Sequence, residues 1–565
     1  MRNELFNRYK LYASLCQIPI QSVLNGLTST LYSLDGERAK KLIEQFIHPP
    51  SNLNFALNGR GVYFVSNQCN LHCMYCKGLA SGMDAPNLEE FEQVLQEWRS
   101  RRLKYLHLTG LEPTVCPYIL DYLKIAQKYQ FEVSMSTNGY ADFDHYWELV
   151  RHGLKYLSIS LDAHNEAIAS QMGGREDIYA RVSANIRRLM ALKRTYNLKV
   201  VICLAITKLN FPMLPEIVAD FLTNLHPDDI RLIPVTQEQF TLEEQKYYHQ
   251  IIQPQLLQIA SKEYPFLRYR INNFFDVRGL EHTEIEKCYV VLDERTVGGQ
   301  YLYPCNIYIR ERGQPMASVS DPDKNEKIWR WFLKHNCMGD PICRNYCCDV
   351  TREYNLMVQR CLQDLFEYPL FQPPVVLETI LQETPIQQVF QQFQAERSLL
   401  PLELHLKRTA LNAGYLGKKL HWHFLTVYYL MRAALLHDIG KSHAAIRHLA
   451  GQHHLPPHHK QLVRQHTVYG KEMLEQLGYQ VEGKIAFQHH ERIDGSGYQR
   501  IQLNWPMAEL VALSDAYTAL TEPRYGRSQF SSCDSVQMIR AGECGPFRGM
   551  YVTTLQQCYE HKLLC

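Results

Sequence analysis

Short apolar runs alternate with helical stretches across residues 56–270. Gly61-Val-Tyr-Phe-Val-Ser-Asn67 reads as a strand, and Tyr105-Leu-His-Leu-Thr-Gly110 alternates apolar and polar positions. Further runs follow at Val133-Ser-Met-Ser136, Tyr156-Leu-Ser-Ile-Ser-Leu161, Val200-Val-Ile-Cys-Leu-Ala205 and Ile230-Arg-Leu-Ile233. Helical periodicity lies between them, at 88–101, 176–195 and 212–223. Strand and helix in repeated succession predict a parallel sheet with crossover helices. Residues 271–365 are less regular and rich in cysteine. There Tyr289-Val-Val-Leu292 and Gln300-Tyr-Leu-Tyr303, flanking Gly298-Gly299, predict a hairpin. Residues 366–395 are rich in Pro, Gln and Glu, lack glycine, and read as a linker with some helix. From 396 to 565 the strand runs give way to helical periodicity, strongest at Phe424–Leu436 and Ala508–Leu520. Residues 1–55 read as a helical region that caps the barrel or helps recognise a substrate.

The chemistry begins at Cys69-Asn-Leu-His-Cys73-Met-Tyr-Cys76, a C-x3-C-x2-C spacing. Three close thiolates can ligate three irons of a [4Fe–4S] cube and leave the fourth iron open to another molecule. A zinc site usually takes a fourth ligand nearby, and His72 stands between two of the cysteines. The spacing resembles the signature of the radical S-adenosylmethionine (SAM) superfamily. That resemblance implies a partial (β/α)6 TIM-like barrel and reductive cleavage of SAM to a 5′-deoxyadenosyl radical. It also implies an electron donor such as flavodoxin or ferredoxin. Motifs at later strand ends carry the resemblance further. Gly110-Leu-Glu112-Pro113 is similar to the family's GGEP, with Leu111 at the second glycine. Ser136-Thr-Asn138-Gly139 and Ser160-Leu-Asp162-Ala163 are similar to the ribose- and SAM-facing strand ends, and Tyr75 falls on the position that touches adenine.

A second group of cysteines follows: Cys288, Cys305, Cys337, Cys343, Cys347, Cys348 and Cys361. Cys337-x5-Cys343-x3-Cys347 resembles the core of the SPASM extension, with Cys288 and Cys305 as its upstream pair and Cys361 as its last ligand. The resemblance implies one or two auxiliary Fe–S clusters and a peptide or protein substrate. Lys334 stands where the pattern has another cysteine. A structural zinc site remains the other reading of these thiols.

The helical third carries spaced histidines and aspartates. His437-Asp438-Ile-Gly-Lys441 closes an apolar helix, and adjacent His-Asp offers an imidazole beside a carboxylate that can bridge two divalent ions. His466, His489-His490-Glu-Arg-Ile-Asp494-Gly495-Ser-Gly497-Tyr498 and Asp515 follow, and His405 lies upstream. These residues in this order resemble an HD-GYP phosphohydrolase domain. The resemblance places His405, His437, Asp438, His466, His489, His490 and Asp515 on metal-ligand positions and Lys441 near the scissile phosphate. It places Asp494, Gly495, Gly497 and Tyr498 on the substrate lip. It implies an iron or manganese pair and a nucleotide phosphodiester substrate such as a cyclic dinucleotide. Gln499 replaces the final proline of GYP, and Pro401 stands where some members carry a glutamate for a third metal. The alternative is a non-catalytic module that senses a nucleotide and regulates the barrel. His453, His454, His458 and His459 match no family position and read as solvated.

Composition adds exclusions. A net charge of +2 over 565 residues implies no global field for nucleic acid or membrane. The best apolar run, near 424–436, is too short to span a bilayer and contains Arg432. Seventeen cysteines, ten of them in ligand-like groups, with no basic-then-apolar leader at Met1, read as a cytoplasmic protein. Cys533, Cys544, Cys558 and Cys565 lack ligand-like spacing and read as ordinary thiols. The expected chain is multidomain. A helical region (1–55) precedes an α/β barrel core (56–270) and a small cysteine-rich cluster domain (271–365). A linker (366–395) then joins these to an all-α HD domain (396–565).

Overall fold

The computed structural model describes residues 53–80, 82–236, 239–280, 285–366, 372–395, 399–449, 456–523 and 528–565, with isolated positions between 38 and 50. The helices expected for residues 1–55 therefore lie almost wholly outside the described residues, as do His453 and His454. The chain divides into two units, one holding Asn54–Leu362 and the residues up to His48, the other holding Gln363–Cys565 and Pro49–Leu53.

In the first unit, six parallel strands alternate with helices. They are β1 (Arg60–Ser66), β2 (Tyr105–Gly110), β3 (Glu132–Thr137), β4 (Leu154–Ser160), β5 (Lys199–Ile206) and β6 (Asp229–Pro234). The crossovers include α1 (Leu88–Ser100), α2 (Ile119–Lys128), α3 (Phe143–Arg151), α4 (Glu166–Gly173), α5 (Ile178–Tyr196) and α6 (Leu214–Asp220). Three short strands, β7 (Arg295–Gly298), β8 (Tyr301–Tyr303) and β9 (Ala317–Ser318), extend the sheet beyond β1, with β7 parallel to β1 and the rest antiparallel. The order β6-β5-β4-β3-β2-β1-β7-β8-β9 does not close on itself, so the barrel is partial. A parallel sheet is covered on both faces, which explains why the alternation in β2 does not mark a solvent face. His107 and Thr109 are buried. The His107 ring bonds the Ser134 and Ser136 hydroxyls at 2.9 and 3.0 Å.

Two local expectations are corrected. The hairpin pairs β7 with β8, whereas Val290–Asp293 forms one turn of helix. The reason is a long-range cap. Asn355 Oδ1 accepts from the Tyr289 and Val290 amides at 2.7 and 3.2 Å, satisfying the donors that a helix start leaves free. The segment 366–395, expected as a linker with some helix, is mostly helix and belongs to the second unit. After α7 (Asn306–Arg310), α8 (Lys324–Lys334), α9 (Pro341–Tyr346) and α10 (Asp349–Phe366), it supplies α11 (Pro373–Ile380) and α12 (Thr384–Ala395). Prolines open both helices, where the missing N–H costs nothing, and Gln and Glu are good helix formers. Val376, Leu377, Ile380, Ile386, Phe390 and Phe393 are buried at helical spacing.

The second unit is helical, built on α13 (Leu400–Lys419), α14 (Phe424–Leu436), α15 (His466–Gln476), α16 (Gln480–Gln488) and α17 (Pro506–Thr521). Arg432 is fully buried in it. Its Nε donates to Glu482 at 2.8 Å and its Nη1 to Glu383 at 3.1 Å, and Tyr428 and Tyr479 donate their hydroxyls to Glu383. Glu383, between α11 and α12, ties the former linker into this unit. Among the described residues, no helix is long and apolar enough to cross a membrane.

Candidate functional sites

The first site lies at the C-terminal ends of β1 to β4, where parallel sheets commonly bind ligands. A cavity of about 550 Å³ is lined by Cys69, Cys73, Cys76, Tyr75, Thr109, Gly110, Leu111, Ser136, Asn138, Ser160 and Arg310. The cysteine loop is pinned to α4: the His72 and Met74 amides donate to the Gly173 and Met172 carbonyls, both at 2.9 Å. The Leu71 and Gly78 amides point at the sulfurs of Cys69 and Cys76 at 3.4 Å, and Asn138 Nδ2 reaches Cys69 Sγ at 3.7 Å. Such donors favour thiolates. Burial pushes Cys69 up, and burial, Asp162 and the neighbouring thiols push Cys73 to about 12. In the bare protein Cys73 therefore keeps its proton, and a metal must displace it. Three converging thiols over an open cavity fit a three-coordinate [4Fe–4S] cube.

Gly110 shows why β2 ends in glycine. At φ 151° a Cβ there would lie 2.3 Å from the Ser66 carbonyl oxygen. The close approach lets the Leu111 amide donate to Ser66 at 2.9 Å and the Glu112 amide to Gln68 at 3.0 Å, fixing the loop to β2. Glu112 is fully buried and is not among the lining residues. Its carboxylate accepts from the Thr114 amide and hydroxyl, the Thr137 hydroxyl and the Asn138 amide, at 2.6–3.0 Å. It thus holds Asn138 in place. Asp162 accepts from the Tyr75 hydroxyl at 2.5 Å and the Ala205 amide at 2.8 Å, and burial raises it to about 6. Arg310 was not foreseen. It arrives from α7, 200 residues along the chain from Gly110, and its Nη2 donates to the Gly110 carbonyl at 3.3 Å.

The second group lies in the cysteine-rich segment. Cys288, Cys305, Cys337, Cys343, Cys347 and Cys348 line one small cavity. The Cys337 thiol is within hydrogen-bond reach of both Cys288 and Cys343. Burial pushes Cys305 and Cys347 upward, and the charges of the neighbouring thiols add to it. Crowded thiolates repel one another unless a cation lies between them, so this donor set fits a metal centre. Cys348 is engaged elsewhere, its thiol donating to Asp349 at 3.1 Å. Cys361 falls on α10, with its side chain outside the described residues.

The third site occupies the helical unit. Asp438 stands at its middle, buried. Its Oδ2 lies 3.9 Å from His405 Nε2 and 3.5 Å from His437 Nε2. Its Oδ1 lies 3.1 Å from His466 Nε2 and 3.4 Å from His489 Nε2. Asp515 Oδ1 joins the first pair, 3.1 Å from His405 and 3.7 Å from His437, and His490 joins the second. Backbone carbonyls or a carboxylate accept from the outer nitrogens. Ala434 O faces His437 Nδ1, Val463 O faces His466 Nδ1 and Ala486 O faces His489 Nδ1 at 2.7–2.8 Å, while Glu522 takes His405 Nδ1 at 2.9 Å. These bonds turn the Nε2 of all four rings inward, where loss of its proton would leave a lone pair for a metal. His405 Nε2, His437 Nε2 and Asp438 Oδ1 are buried without a hydrogen-bond partner, as expected of atoms placed for metals. Burial opposes charge on Asp438, but Lys441 and the imidazoles hold it well below the usual carboxylate range. Burial also disfavours a charged His437, yet Asp438 and Asp515 keep it at about 10.

Lys441 pairs with Asp438 at the mouth of the site. The lip is anchored by Glu491, which lies inside the His489–Tyr498 run but was given no role there. Fully buried, it accepts from the Gln499 amide at 2.8 Å and the Ile501 amide at 2.7 Å. Tyr498 stays 38% exposed beside His490, and Asp494 only turns the loop, accepting from the Ser496 amide at 3.0 Å. Gln499 donates to Thr467 Oγ1 at 3.3 Å. Among the extra histidines, His458 is exposed on the helix Pro457–Arg464.

Family profiles match the two regions that hold the barrel thiols and the histidine–aspartate cluster. The Radical SAM superfamily profile matches residues 63–220, and an HD domain profile matches 393–544. The chain is 32% identical over 123 residues to a probable GTP 3′,8-cyclase of Pyrococcus abyssi, 21% of this chain and 38% of that one. It is 32% identical over 126 residues to a cyclic di-GMP phosphodiesterase of Thermotoga maritima, 21% of this chain and 34% of that one. It thus spans little more than a third of the length of these curated relatives. The crystal structure of Streptococcus suis SuiB superposes with a TM-score of 0.39 at 13% identity, over 55% of this chain and 72% of that one. Thiols at the strand ends within one matched region and the histidine–aspartate cluster within the other mean that this chain carries a radical SAM domain followed by an HD domain.

Proposed function

We propose that the chain is a two-site enzyme: a SAM-cleaving radical enzyme acting on a peptide or protein, and a dinuclear-metal phosphodiesterase. The observation that carries the second activity is the division of Asp438. One oxygen faces His405 and His437 and the other faces His466 and His489, so a single carboxylate serves two metal positions. Two divalent ions held there would supply an activated water and stabilise charge on the phosphoryl oxygens. The protein's own part is to hold each Nε2 inward, to exclude competing water by burial, and to bring the Lys441 cation to the mouth. The Thermotoga relative acts on cyclic di-GMP, which supports a nucleotide phosphodiester here; Gln499 in place of proline favours a shifted preference.

In the barrel, Cys69, Cys73 and Cys76 would hold the cube, and the cluster with SAM supplies the radical. Asn138 and Ser160 line the space beside it, Tyr75 is braced by Asp162, and Arg310 adds a cation. The SPASM-like cysteine spacing supports auxiliary clusters and a peptide substrate.

The test is Asp438→Ala in the full-length protein. Without the shared anion, two cations face each other unscreened and do not assemble. Manganese or iron content of the helical unit should fall, and phosphodiester hydrolysis should drop at least about a hundredfold, while SAM cleavage persists. A wild-type protein that binds no such metal and hydrolyses no cyclic dinucleotide or other phosphoester leaves the sensing role in its place.

A further inference from the structure

The cysteine-rich segment lacks one thiol that its spacing calls for: Lys334 stands three residues before Cys337, and its side chain is exposed. The structure offers a different donor one residue later. α8 ends at Lys334, and His335 leaves the helix with extended backbone, φ −70° and ψ 136°. That turn carries the imidazole inward, leaving its side chain only 8% exposed. His335 Nε2 lies 3.3 Å from Cys343 Sγ. A ring nitrogen of His335 and the sulfurs of Cys337 and Cys343 all lie within 4.8 Å of one another, close enough to converge on one centre.

The ring is held in that position. It stacks on Trp331, centroids 4.0 Å apart and planes at 16°. Its other nitrogen faces Asp340 Oδ2 at 4.0 Å. Asp340 is itself fixed, accepting from the Tyr308 hydroxyl and from the Cys343 amide at 2.8 Å. A histidine between a metal position and a carboxylate is the arrangement that sets its tautomer and orients its lone pair.

We propose that His335 is a ligand of the auxiliary centre, binding through Nε2 beside Cys337 and Cys343 in place of the absent cysteine. The inference rests on the reading of this segment as an Fe–S site. A neutral imidazole replaces a thiolate, so the cluster carries one negative charge fewer and sits at a higher potential than an all-cysteine cluster, as histidine-ligated centres do. Such a centre suits accepting an electron from a substrate radical.

The experiment uses full-length protein with Cys69, Cys73 and Cys76 changed to Ala, so that only auxiliary iron remains, reconstituted anaerobically. Iron, sulfide and zinc are counted, the reduced cluster is examined by pulsed EPR with ¹⁵N-histidine labelling, and its potential is titrated. Expected are auxiliary iron and a histidine nitrogen coupling in the parent. His335→Cys should keep the iron, lose the coupling and lower the potential; His335→Ala should lose much of the iron. Auxiliary iron with no histidine coupling, or a coupling that survives in His335→Cys, overturns the ligand assignment alone. Zinc with no auxiliary iron overturns the cluster reading beneath it.

Discussion

Glu522 shows what a single side chain does at a distance from the reacting atoms. It accepts from His405 Nδ1 at 2.9 Å and from Arg408 Nη1 at 3.2 Å, so Arg408 holds the carboxylate that aims His405. His405 Nε2 then points at Asp515 and Asp438. Removing an outer partner of a ligating histidine commonly costs ten- to a hundredfold in metal affinity. Glu522→Ala should therefore weaken binding at the His405–His437 position by about that factor, read by metal titration, with the His466–His489 position much less affected. Equal weakening at both positions would mean that Glu522 supports the fold and not the ligand. Nothing in the sequence marks Glu522, because its partner His405 lies 117 residues away and it belongs to no motif; Glu491 lies inside the His489–Tyr498 run, but its anchoring of the Gln499 and Ile501 amides shows only in the fold. The motif residues themselves were legible: His437, Asp438, His466, His489 and Asp515 come together as one cluster.

At the level of elements, the histidine–aspartate cluster depends on how closely a turn packs on a helix. The 3-10 turn Ile439–Ser442 carries Lys441 and follows Asp438 directly. A Cβ on Gly440 would lie 2.0 Å from the His466 carbonyl oxygen and 2.5 Å from the Gly470 amide nitrogen, both on α15. Backbone cannot yield as a flexible side chain can. Gly440→Ala should push the turn off α15, separating Asp438 from His466, at a cost of about 1–3 kcal/mol. The expected outcome is a lowered unfolding temperature together with loss of the second metal, measured by calorimetry and metal analysis. A variant with wild-type metal content would show that the turn can shift without moving Asp438. The sequence reading named strands and long helices well, since a period of 3.6 or a short β-branched run is a local signal. It misplaced the hairpin and took 366–395 for a linker. Those outcomes depend on Asn355 capping the turn at Tyr289 and on Glu383 meeting Arg432, contacts that no local pattern encodes.

For the molecule as a whole, each unit carries its own ligands. The barrel thiols come from one loop, and the histidine cluster is drawn from helices and turns between 405 and 515. Changing Cys69, Cys73 and Cys76 to Ala should remove roughly four irons per chain and abolish 5′-deoxyadenosine formation, while phosphodiester hydrolysis continues. Persistence of 5′-deoxyadenosine in that variant would refute the cluster assignment, and loss of both activities would show that the two sites depend on each other. The sequence alone determined the chemistry offered at each site, because metal and cluster ligation require particular atoms and close spacing along the chain: C-x3-C-x2-C in one loop, His-Asp at one helix end. It also determined the succession of α/β and all-α regions, because burial periodicity is written locally. Tertiary structure alone decided which residues complete those sites. Arg310 reaches the barrel cavity, Glu112 turns to the protein interior to hold Asn138, His335 swings toward Cys343, and Asp438 divides its oxygens between two pairs of imidazoles. Each of these rests on burial and on distances across the fold, and a side chain's direction is set by the elements that pack around it.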